Sequence, residues 1–246
     1  MRKPRKLGPA ELAPFVLHLP HAAPVRPPPA DAPPPLPLDW AAVFGDSNPV
    51  ELEVGSGKGL FLVTTATAHP ERNFVGVEIV PKYALYMADR VARRNLANAR
   101  AAASDGKKVL RHYVRDGSLA AVHVYFPDPW WKTKHKKRLL FTPEFAGEVA
   151  RVLRPGGVLH FASDVADYFG MVTATLAAEP RFRPLPPPDE SAPRHDMDYL
   201  TNFERKWRQM GRPIYRSRHA RVEAAASPTP AGSASKGGVG DDTRAP

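Results

Sequence analysis

Three observations predict an α/β protein built on a doubly wound, mostly parallel sheet. Short apolar runs rich in β-branched residues alternate with amphipathic stretches of helical length. A glycine-rich turn directly follows the first run. Acids gather at the carboxyl ends of the runs, where open α/β sheets bind their ligands.

The elements follow in order. VELEV (50–54) reads as a strand and runs through the turn GSGKG into the helical LFLVTTATA (60–68). NFVGVEI (73–79) is a second strand, and Pro81 suits the first turn of a helix spanning 82–99. A third short strand can end before Asp105. AVHVYF (121–126) and GVLHFAS (157–163) are further strands, with the amphipathic TPEFAGEVARVL (142–153) between them and a helix over 164–179 after them. The pattern shows no internal repeat.

Composition frames this body. Of 246 residues, 43% are hydrophobic, enough for one large core. The 29 prolines are unevenly spread, many of them in 20–37 and 180–193. Residues 1–38 are therefore expected to form a basic, proline-rich, loosely held arm, 39–221 the ordered domain, and 222–246 a disordered tail of small and polar residues. With no cysteine, the chain has no disulfide, thiolate nucleophile or cysteine-based zinc site. No metal site is expected. No apolar run approaches the ~18 residues of a membrane span, and the start lacks the apolar core of a secretory signal, so a cytoplasmic location is expected. The formal charge of +10 points to an anionic partner such as nucleic acid.

The turn G55-S-G57-K-G59 admits three readings. A nucleotide-phosphate loop needs a glycine five positions before Gly57, and Leu52 stands there. A dinucleotide site needs G-x-G-x-x-G, and the last spacing here is wrong. An S-adenosylmethionine site uses the same turn without a pyrophosphate, with one acid on the first strand and one after the second. Glu53 and Glu78 stand at those places, and Asp105 can meet an adenine amino group. Gly55 and Gly57 would let the ligand approach the backbone. Asp105 can equally be a helix N-cap.

FPDPWWKTKHKKR (126–138) is the most distinctive stretch. Pro127 and Pro129 restrict the backbone on both sides of Asp128 and aim its carboxylate. Trp130 or Trp131 can stack a base, and Lys132, Lys134, His135, Lys136, Lys137 and Arg138 can hold phosphates. Asp164 follows the next strand and can also cap a helix. Thr201, Asn202, Phe203 and Glu204 match a capping box, followed by seven Lys and Arg residues up to 221.

ELEVGSGKG, NFVGVEI, FPDPWWKTKHKKR, GGVLHFASDVADYF and TNFERKW, in this order and spacing, resemble the tRNA (guanine-N7-)-methyltransferase family over roughly 48–221. The resemblance implies a seven-stranded class I (Rossmann-like) methyltransferase fold, S-adenosylmethionine as methyl donor, and the variable-loop guanosine of tRNA as acceptor. It implies that Glu53, Glu78, Asp105 and Asp128 contact the cofactor, with Asp128 also the catalytic candidate. Lys132, Asp164 and Thr201–Glu204 would contact substrate, and 134–138 would be an RNA-contacting loop. The competing expectations are methylation of another RNA site or of an exocyclic amine, and a non-catalytic RNA-binding protein on the same scaffold.

Overall fold

A computed structural model describes residues 5–23, 34–129, 139–187 and 201–223. Its strands are β1 (Val16–Leu17), β2 (Val50–Val54), β3 (Asn73–Glu78), β4 (Ala99–Ala103), β5 (Leu119–Tyr125), β6 (Leu153–Ser163), β7 (Phe182–Leu185) and β8 (Tyr215–Arg221). The helices are α1 (Pro9–Leu12), α2 (Trp40–Phe44), α3 (Leu60–Ala68), α4 (Pro81–Arg93), α5 (Gly106–Tyr113), α6 (Pro143–Val152), α7 (Ala166–Ala178) and α8 (Asn202–Gln209).

All strands join one sheet in the order β1-β4-β3-β2-β5-β6-β8-β7. From β1 to β6 the pairing is parallel, while β8 runs antiparallel to both β6 and β7. The chain winds outward from β2 to β4, then crosses back to β5 and winds the other way. The order therefore reverses between β2 and β5, which is where such sheets open a crevice at their carboxyl edge.

Side-chain alternation sorts the core onto two faces. Val50, Leu52 and Val54 join a cluster with Val109, Phe145, Val149 and Val172, beneath α5, α6 and α7. Phe74, Ala99 and Ala101 join Leu62, Ala84, Met87 and Val91 beneath α3 and α4. β2 and β3 are buried along their whole length, as expected of central parallel strands.

The sheet corrects three expectations. Among the described residues it has eight strands, because β1 adds to the outer edge of β4 beyond the seven expected. Part of the 1–38 arm is therefore packed: Leu12, Leu19 and Ala22 are buried, and the Asp105 amide donates to the Ala22 carbonyl at 2.7 Å. The helix expected over 82–99 stops at Arg93, and Asn95 takes a left-handed turn (φ 50°) into β4. The alanines of β4 favour helix in isolation, but pairing beside β3 overrides that preference. Residues 224–246, nearly all of the expected tail, lie outside the described set.

Candidate active site

The turn after β2 is shaped for close approach. Gly55, Gly57 and Gly59 all have positive φ (83°, 54° and 72°). A Cβ on Gly55 or Gly57 would point into open space, whereas one on Gly59 would lie 2.5 Å from Met87 Cγ. Gly59 thus packs the turn onto α4, and the other two keep the cleft side free of side chains.

A cleft of about 900 Å³ opens here, at the carboxyl ends of β2 and β5. Glu53, Gly55, Gly57, Phe61, Tyr125, Phe126 and Thr201 line it, together with Lys58, Tyr83, Tyr86, Arg90, Arg205 and Lys206. Glu53 is only 3% exposed, and its Oε2 has no hydrogen-bond partner among the described residues. Burial raises its carboxyl to about 8; a hydrogen bond from Ser56 opposes the rise and the nearby Glu78 adds to it. A buried acid with an unpartnered oxygen at a ligand cleft is suited to a cationic or donor group.

Glu78 forms the floor of the turn. Its Oε2 accepts the Gly57 amide at 2.7 Å, and its Oε1 accepts the Val80 amide at 2.8 Å. Asp105 lies at the end of neighbouring β4, where its side chain caps α5 by accepting the Lys107 amide at 2.9 Å. The N-cap reading of Asp105 is thus correct in the structure.

At the end of β5 the chain turns through Phe126, whose φ of 52° is unusual for a bulky residue. Its amide donates to Ala162 O at 2.9 Å, which ties the turn to β6. Asp128 follows on an exposed loop, and its charge is felt by buried Tyr168. Asp164 is half-buried at the end of β6. Neither Asp128 nor Asp164 lines the cleft itself, although both sit along the same sheet edge.

Thr201 lines the cleft and also caps α8, its Oγ1 accepting the Glu204 amide at 3.0 Å. Asn202 and Phe203 open α8, and their side chains lie outside the described set. Glu204 is buried, and its Oε1 accepts from Arg208 and from Arg216, joining α8 to β8. That is an architectural use of the carboxylate. Trp130, Trp131, Lys132, Lys134, His135, Lys136, Lys137 and Arg138 all lie outside the described residues. Among the described residues no cluster of His, Asp and Glu is arranged to hold a metal.

The structure adds a buried polar stripe under Phe61 that sequence reading passed over. Arg72 donates to Glu51 Oε1 at 2.9 Å, His123 Nε2 lies 2.7 Å from Glu51 Oε2, and His123 Nδ1 lies 2.9 Å from the Tyr125 hydroxyl. Burial acts to raise the Glu51 carboxyl, but the hydrogen bonds and charges of His123 and Arg72 outweigh it and hold it at about 2. His160 stacks on His123 with ring centroids 4.7 Å apart, and burial beside that ring takes it down to about 3. The signal was present: Glu51, Glu53, His123, Tyr125 and His160 occupy one sheet face by strand alternation and register.

Comparison with known proteins decides the family. A family profile described as "Putative methyltransferase" matches residues 47–217. A tRNA (guanine-N(7)-)-methyltransferase of Rhodopirellula baltica is 42% identical over 217 residues, covering 82% of this chain and 80% of that protein. The chain belongs to the tRNA (guanine-N(7)-)-methyltransferase family. The enzyme of that name from Bordetella parapertussis is 40% identical over 181 residues, covering 74% of this chain and 70% of that one. Among solved structures, an antibiotic-related methyltransferase superposes with a TM-score of 0.56 at 16% identity, covering 76% of this chain and 96% of that one. A 30S ribosomal A1408 methyltransferase from an uncultured bacterium gives 0.54 at 13% identity, covering 74% and 92%. These two share the class I methyltransferase fold, as the sequence resemblance implied. The glycine turn and acids that relate this chain to the tRNA (guanine-N(7)-)-methyltransferase family all lie inside the matched segment.

Proposed function

We propose that the chain is a cytoplasmic enzyme that transfers the methyl group of S-adenosylmethionine to N7 of a guanosine in the tRNA variable loop. The acceptor is nucleotide 46 in conventional tRNA numbering, and the product is 7-methylguanosine. The observation that carries this reading is Glu53: a buried acid with an unpartnered oxygen, beside glycines whose missing side chains leave the cleft open. Family membership supports the acceptor.

The residues present fit the donor. Glu53 would take a cationic or donor group at the cleft floor. Glu78, already fixed by two backbone amides, keeps lone pairs for ribose hydroxyls. Asp105 stands at the next strand end for the adenine amino group. When bound, S-adenosylmethionine supplies an electrophilic methyl group on a sulfonium.

Guanine N7 attacks through a lone pair in the ring plane, so the nucleophile need not lose a proton. Positive charge then grows on the purine. Asp128, held between two prolines at the mouth of β5, stabilises that charge and accepts hydrogen bonds from N1–H or the exocyclic amine. Lys132, Asp164 and Thr201 position the nucleotide, and 134–138 neutralise phosphates. Preorganisation of these groups, rather than proton transfer, is the main catalytic contribution.

The test is incubation with labelled S-adenosylmethionine and unmodified tRNA, then nucleoside analysis. The expected product is 7-methylguanosine. An N2- or N6-methylated nucleoside would redirect the reading to an exocyclic amine, and tRNA binding with no donor binding and no transfer would make the protein a non-catalytic RNA binder.

A further inference from the structure

Tyr83 and Tyr86 are 39% and 52% exposed, and both line the cleft. They are three residues apart on α4 and so share a face. Lys58 from the glycine turn sits over both rings, with Nζ 5.7 Å and 5.9 Å from their centroids, within cation–π reach. Burial does not account for this pair. An exposed aromatic surface at the rim of a ligand cleft marks a binding face.

The charge around the pair narrows the ligand. Arg90 lies one turn beyond Tyr86 and donates to the Lys58 carbonyl at 3.1 Å. Arg205 and Lys206 of α8 also line the cleft. The sole acid among the described cleft residues is Glu53, which is buried at the floor. Arg90 is lowered from its ordinary value, first by burial and then by the like charges of Arg94 and Arg205. The mouth therefore holds mutual repulsion that an anion would relieve. The methyl donor carries one carboxylate and no phosphate, too little to answer the four cations Lys58, Arg90, Arg205 and Lys206. A polyanion with flat bases satisfies both features.

We propose that Tyr83, Tyr86 and Lys58 form a shelf for an unpaired tRNA nucleotide next to the target guanosine, its base stacking on the tyrosines and its phosphates held by Lys58, Arg90, Arg205 and Lys206. The proposal rests on the tRNA reading above. The shelf is built from the glycine turn, α4 and α8, none of which belongs to the 132–138 stretch that the sequence motif assigns to RNA.

The test compares wild type, Tyr83→Ala/Tyr86→Ala and Tyr83→Phe/Tyr86→Phe. Unmodified tRNA affinity is measured by anisotropy, and S-adenosylmethionine affinity by calorimetry. The alanine pair should weaken tRNA binding by about 5- to 150-fold, the range for one stacked base, with donor affinity unchanged within twofold. The phenylalanine pair, which keeps both rings, should restore tRNA binding. Lys58→Ala should lower the salt slope of tRNA binding by about one contact. Equal tRNA binding by wild type and the alanine pair would remove the shelf alone. Donor affinity falling in parallel would assign the tyrosines to the donor instead and also overturn the proposal. A wild-type chain that binds no tRNA would defeat the functional reading and the shelf with it.

Discussion

Glu53→Gln is the most informative single change, because it separates stability from function at one atom. In the folded chain the Glu53 carboxyl titrates at about 8, against 4.5 for the ordinary group. Between those values the folded state holds a proton that the unfolded state has lost, so rising pH opposes folding. At about 1.36 kcal/mol per pH unit, the penalty from this residue grows by roughly 4 kcal/mol between pH 5 and pH 8. Glutamine keeps the shape and removes the titration. Urea unfolding at pH 5, 6.5 and 8 should show little difference at pH 5 and a variant several kcal/mol more stable than wild type at pH 8. The same variant should bind S-adenosylmethionine more weakly. In wild type, a cationic group of the donor would favour the ionised carboxylate, so binding at pH 7 should release a proton, visible as a buffer-dependent enthalpy. Parallel stability curves for wild type and variant across the whole pH range would refute the reasoning, since Glu53 would then not titrate between pH 5 and 8.

Four further outcomes follow from the geometry. Glu51→Ala leaves His123 buried without its acceptor and should cost about 3–5 kcal/mol, read from urea unfolding at pH 7; Arg72, half exposed, contributes little to that sum. Gly59→Ala places a Cβ against Met87 in a backbone with φ of 72° and should cost about 1–3 kcal/mol or more, seen as a lowered Tm. Asp128→Ala should lower kcat by roughly 10²–10³ with the fold intact by circular dichroism, and unchanged turnover would take Asp128 out of the mechanism. Replacing Lys134, Lys136 and Lys137 by Ala should flatten the salt dependence of tRNA binding by up to about 0.9 per lost phosphate contact, and an unaltered slope would mean the segment does not touch RNA.

The central strands were legible because their residues answer to one demand. VELEV and NFVGVE are buried throughout, and apolar runs bounded by glycine or proline have few other uses. The glycine turn and its two acids were legible because positive φ and buried charge both need special residue types. β4 was partly hidden, since its four alanines favour helix and pairing beside β3 makes them a strand. β7 and β8 were hidden for a related reason. β7 is four residues with a proline among them, and the arginine-rich β8 carries little periodicity; β8 is placed by pairing with β6, and β7 by pairing with β8. In the site, Tyr83 and Tyr86 looked like ordinary members of an amphipathic helix. Which face of α4 meets the cleft is fixed by Met87 packing against Gly59 and Gly76, a long-range fact. The buried Glu51–His123 pair was overlooked because its members are 72 positions apart in the chain.

The family profile begins at residue 47, yet the sheet extends beyond that match. Val16 and Leu17 sit against Ala101 and Ala102 along the flank of β4, and Leu12 plugs the apolar layer under α4. The matched segment and the folded sheet thus have different perimeters. A protein trimmed at residue 47 would present a row of naked amides and carbonyls on its outermost ribbon, an open template for sticking to its own kind. The short N-terminal ribbon is a selvage that keeps that hem from unravelling onto a neighbour.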